Sequence, residues 1–174
     1  MILDIARLLL FPALMAFAAA SDLFTMTISN RVSLALAAGF LILALASGMS
    51  FPEILSHIGA GATVLAVAFG CFAMGWVGGG DAKVASTAAL WFGFAHLMNY
   101  LLLASVFGGV LTLLLLQFRQ WPLPLALTGQ AWLTKLHAKG SGIPYGIALA
   151  IGALMVYPET DWMTAVDLSH FAMR

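Results

Sequence analysis

Residues 98–118 read MNYLLLASVFGGVLTLLLLQF, a run with no charged side chain anywhere in it. A bilayer core about 30 Å thick is crossed by about 20 mainly apolar residues in helical form. Spanning backbone in lipid must satisfy its own amides, so a continuous apolar run reads as a helix, whereas an alternating one would suit a barrel strand. Working outward, comparable runs occur near residues 3–20, 33–48, 56–76, 82–97 and 142–158. Together they predict an all-α, polytopic membrane protein with about six transmembrane helices. The divide between the fourth and fifth is expected near His96 to Asn99, where polar residues interrupt the run.

Composition agrees. Of 174 residues, 63% are hydrophobic and 8% charged, against about 25% charged in a soluble domain. A water-soluble fold of this size cannot hide so much apolar surface, so lipid is the solvent for most of the chain. Basic and acidic residues balance at seven each, which gives no basic face for nucleic acid. The lone cysteine, Cys71, excludes an intrachain disulfide and a cysteine zinc cage and reads as a small packing residue. Asp4 stands where a signal peptide would be basic, so residues 3–20 are expected to be a retained first helix. No internal repeat or second domain is visible, and residues 1–174 are read as one integral-membrane domain.

The connections sort the cations. Loops one, three and five carry Arg31, Lys83, Arg119, Lys135 and Lys139; the other side has Arg7 and Arg174 with Asp4, Glu53, Glu159, Asp161 and Asp167. The positive-inside rule then predicts odd loops in the cytoplasm and both termini outside. Segment 119–140, with Pro122, Pro124, Trp121 and Trp132, is expected to lie as a loop along the interface.

Charge beside a spanning helix is costly and therefore informative. Asp22 closes the first apolar run, and Asp81 follows the third in Gly78-Gly79-Gly80-Asp81-Ala82-Lys83. Both fall on odd connections, hence at one membrane face. Two close carboxylates cannot easily both ionise, so one proton is shared. The ionised partner can take a proton from water as it attacks a carbonyl, and the protonated one can hydrogen-bond the carbonyl oxygen. Such chemistry calls for no metal and no cofactor. The three glycines let backbone approach closely and disfavour continuation of a helix. From the residues alone other readings stay open. Asp81 can cap a helix starting at Ala82, and an ion- or proton-coupled transporter also places acids here, as can a non-catalytic assembly subunit.

Gly78-Gly79-Gly80-Asp81 has the form GxGD, and Lys83 extends it to GxGDxK. Asp22 is followed by Thr27-Ile28-Ser29-Asn30, and Ile143-Pro144-Tyr145-Gly146 opens the last run. In these motifs and their order the chain resembles the bacterial type IV prepilin peptidases, with Ser29 where that family usually has proline. The resemblance implies that Asp22 and Asp81 are the catalytic pair, with Gly78, Gly80, Lys83 and Asn30 in support. It implies a prepilin substrate, a membrane-embedded helix with a leader peptide, cut at the cytoplasmic face of the bacterial inner membrane. About a dozen residues separate the first two spans and no CxxC pair exists, unlike the larger, methylating members. The shape is similar to the short enzymes of tight-adherence (Flp-type) pilus systems, which implies cleavage without methylation. The presenilin-like tyrosine–aspartate motif is absent, since Ser21 precedes Asp22.

Lys83 reads either as a snorkelling cation or as electrostatic support for Asp81 or for substrate. Asn30 is expected to cap the second helix, or to hydrogen-bond near the site. His57, His96, His137 and His170 show no ligand spacing and are assigned boundary or packing roles. Asp4 and Arg7, three apart on one helical face, predict a local ion pair.

Overall fold

The computed structural model describes residues 1–124 and 127–166. Asp167, His170 and Arg174, which entered the reading above, lie outside the described residues. The elements are helical: α1 (Ile2–Thr25), α2 (Asn30–Ala46), α3 (Phe51–Ala73), α4 (Gly79–Phe118), α5 (Ala131–His137), α6 (Gly146–Val156) and a short α7 (Asp161–Thr164). α1, α3 and α4 are long and apolar enough to cross a membrane, and α2 and α6, the latter running on through a 3-10 turn to Glu159, are shorter apolar helices. Large apolar side chains such as Ile42, Leu45, Phe69 and Leu113 stay well exposed on the outside, as they would against lipid.

Local signals set the helix ends. α3 starts at Phe51, five residues before the expected point, because Ser50 and Glu53 form a capping box in which the Ser50 amide donates to Glu53 Oε2 at 2.9 Å. Ser29 rather than Asn30 caps α2, its hydroxyl accepting from the Arg31 amide. Gly79 and Gly80 belong to the first turn of α4 and do not stop it. There the amides have no intrahelical partner to lose.

The break expected near His96 to Asn99 falls instead at Gly93, where φ is 56° and ψ is −173° inside α4. Only glycine adopts that backbone readily, and hydropathy does not register it. The two arms, 79–92 and 94–118, are thereby redirected. The carbonyls just before the break find new partners: the His57 ring bonds Leu90 O and the Trp162 indole donates to Trp91 O at 2.8 Å. His57 thus has the packing role expected of it. It also stacks on Phe40.

Between helices in lipid, packing and hydrogen bonds hold the structure, because lipid tails are as apolar as leucine. Trp91 is fully buried, lies 5.0 Å from the Phe11 ring, and donates to Leu36 O. Phe11 in turn stacks on Tyr157 at 4.6 Å. α6 presses so closely on the second arm of α4 that a Cβ on Gly152 would meet the Ala104 backbone at 2.7 Å.

At one end of the bundle Arg7 and Asp4 form the expected pair at 3.7 Å. Arg7 also donates to Ala165 O and Ser47 Oγ, and Tyr157 donates to Arg7 O. The opposite end carries the turns after α1 and α3, the start of α6, and the described part of the segment between α4 and α6, residues 119–124 and 127–145. That segment is not only a loop. It contains α5, fastened to the end of α1 by Lys135 Nζ donating to Thr25 O at 2.8 Å and by Trp132 against Phe24.

Candidate active site

α1 ends abruptly three residues after Asp22. Met26 takes a left-handed conformation, and its amide donates to Asp22 O at 2.8 Å. Ser21 Oγ donates to Thr27 O, and Thr25 Oγ1 to Ser21 O. These hydroxyls hold the turn, and the Asp22 side chain is left facing inward, 6% exposed. Its Oδ2 accepts the Gly146 amide at 2.7 Å. Gly146 is the first residue of α6, so the carboxylate rests at a helix N-terminus, where unpaired amides favour negative charge.

Asp81 is the third residue of α4, and its carboxylate turns back toward Gly78 at the start of the helix. A Cβ on Gly78 would lie 2.8 Å from Asp81 Oδ2, so the glycine leaves the carboxylate its place. The turn after α1 docks on the turn before α4. Ile28 lies against Gly80, and Lys83 Nζ donates to Asn30 Oδ1 at 2.8 Å. Lys83 and Asn30 therefore tie α4 to α2 beside the acids.

That docking brings both carboxylates onto one cavity of about 1130 Å³. Val64 and Val67 of α3 and Leu101 and Ala104 of α4 give it apolar walls, and Cys71 also lines it. A smaller recess of about 260 Å³ runs between Ile28, Gly80 and the two acids. The arrangement presents two carboxylates, that of Asp22 held by the Gly146 amide, to a space with largely apolar walls. Among the described residues no three of His, Cys, Asp and Glu come together as metal ligands would.

Residues 9–113 match the type IV leader peptidase family. The match takes in more than half of the chain. The protein belongs to this family. No curated protein and no solved structure matches it. Membership in the leader peptidase family makes it a peptidase-type protein, and its apolar helices make it a membrane protein. The matched stretch contains Asp22, Asn30, Gly78, Gly80, Asp81 and Lys83, and it ends before Gly146, whose amide meets Asp22.

Three features of this leader peptidase escape sequence reading. Arg119, counted above as a loop cation, is only 8% exposed and lines the same cavity. Tyr100 is fully buried, and its hydroxyl finds no hydrogen-bond partner among the described residues. Tyr145 packs its ring over Gly108 of α4. No spacing rule links these residues to the acids. The Ile143-Pro144-Tyr145-Gly146 motif was the one available signal, and it pointed to a helix start rather than to a ligand for Asp22.

Proposed function

We propose that the protein is an aspartyl endopeptidase that removes the leader peptide from a type IV, Flp-like prepilin, without methylating the product. The observation that carries this is the convergence of Asp22 and Asp81 on one cavity in a chain of the leader peptidase family. One carboxylate, ionised, takes a proton from water as the water oxygen bonds to the scissile carbonyl carbon. The other, protonated, donates to the carbonyl oxygen. Collapse of the tetrahedral species breaks the C–N bond as a proton passes to the leaving nitrogen. No cofactor enters these steps.

The reading places the enzyme in the bacterial cytoplasmic membrane. α1, α2, α3, the two arms of α4, and α6 make six crossings, with both termini outside. Arg31, Lys83, Arg119 and Lys135 share the carboxylates' end of the bundle, which supports a cytoplasmic active face. The short 26–29 connection leaves no room for a methylating insertion.

Co-expression with an Flp-type prepilin tests the proposal, with pilin size followed for wild type, Asp22→Asn and Asp81→Asn at matched membrane levels. Wild type is expected to shorten the pilin and both variants to leave it full length. Cleavage by the variants at the wild-type rate would refute the catalytic assignment. Ion flux in liposomes, lost in the same variants and without any cleavage across a prepilin panel, would point to a transporter instead.

A further inference from the structure

Arg119 caps the C-terminus of α4 with its guanidinium buried, and among the described residues no carboxylate pairs with it. A buried cation is costly unless its donors find partners, and here neutral groups of α5 and of the loop after it accept from Nε and Nη2. Nε donates to Leu136 O at 2.9 Å, and Nη2 donates to Ser141 Oγ at 2.9 Å and to Gly142 O at 2.8 Å. From Gly142 only Ile143, Pro144 and Tyr145 intervene before Gly146. Pro144 is fully buried with its φ locked, and Tyr145 is wedged over Gly108. A connection this short and stiff transmits displacement at residue 142 to the amide that holds Asp22 Oδ2 at 2.7 Å.

We infer that Arg119 is a positioning residue for the Asp22 carboxylate, acting through segment 141–146. The inference rests on the peptidase reading for its kinetic consequence, but its structural half stands apart from it. A guanidinium forked between the end of α5 and residues 141–142 fixes both distance and direction. Without it residues 141–142 lose their hydrogen bonds to Arg119, only the Tyr145 contact with α4 is left, and the Gly146 amide drifts from the carboxylate. A misplacement of about 1 Å costs on the order of 100-fold in rate.

Arg119→Gln in the full chain, reconstituted with an Flp-type prepilin, is expected to lower kcat about 100-fold while KM stays within about threefold. Arg119→Lys, which can restore part of the network with a flexible ammonium, is expected to recover about tenfold of that loss. Lys139→Gln removes an exposed cation from the same segment and should cleave as wild type does. Hydrogen exchange of residues 141–149 reads the positioning without substrate, and Arg119→Gln is expected to exchange at least about tenfold faster there than wild type. A kcat within threefold of wild type, or unchanged exchange, would overturn the assignment, as would no recovery with lysine. If Arg119→Gln does not accumulate in the membrane, Ser141→Ala and Arg119→Lys carry the test: graded kcat losses support it and wild-type values overturn it. A wild-type protein that cleaves no prepilin would sink the peptidase reading, while the exchange comparison would still decide the role of Arg119.

Discussion

Gly146→Ala separates positioning from folding at the proposed active site. A Cβ at this position would stand 2.9 Å from Asp22 Oδ2, 3.1 Å from Asp22 Cβ and 2.8 Å from Ile28 Cδ1. The Ile28 methyl is the tip of a flexible side chain and can turn away. The carboxylate cannot, because the same residue supplies its amide donor at 2.7 Å. Ordinary contact with a Cβ begins at 3.4 Å, so the carboxylate must retreat by about 0.5 Å, which stretches the hydrogen bond to about 3.2 Å, the edge of the useful range. With about 100-fold lost per ångström of misplacement, half that displacement costs on the order of tenfold in kcat. Alanine is the better helix former, so the amount of folded protein and its thermal midpoint should hold. The assay is cleavage of a purified prepilin by the reconstituted variant, with KM and kcat measured separately. A kcat within twofold of wild type would refute the reasoning, and so would a loss of activity matched by a loss of folded protein.

Gly93→Ala should destabilise the fold and not the chemistry directly. The φ of 56° with ψ of −173° costs a Cβ-bearing residue about 1–3 kcal/mol. The new methyl would also lie 3.0 Å from the His57 ring, which is held by Leu90 O, adding about 1 kcal/mol if that bond breaks. A thermal midpoint lower by roughly 10 °C in detergent is expected, and an unchanged midpoint would show that the kink is not needed. The rate of cleavage should follow a bell-shaped pH profile, falling in acid when both Asp22 and Asp81 are protonated and in alkali when both are ionised. A flat profile with intact enzyme would contradict the shared proton.

Much of this protein can be read without coordinates. Continuous apolar runs of roughly bilayer length leave helices as the spanning form, because unpaired amides in lipid are too costly. Asp22 and Asp81 stand out because charge beside such runs is expensive, and the Asp4–Arg7 pair follows from helical spacing. Where the reading failed, the deciding quantity was local geometry that hydropathy does not encode. The polar His96 and Asn99 looked like a boundary, yet the chain bends at Gly93, whose only distinction is its missing Cβ. Asn30 looked like a cap, but Ser29 one residue earlier has the extended backbone a cap needs.

The active-site candidate divides the same way. Sequence alone determined that two acids lie at helix ends, since membrane solvation restricts where carboxylates can be. Only the tertiary structure decided what holds them. The Gly146 amide comes from 124 positions away, and the Arg119 network comes from a loop whose cation had seemed to serve topology alone. Solvation acts on each residue in turn and leaves a trace in composition. Hydrogen bonds between distant segments depend on how the helices cross, and no one stretch of the chain carries that information.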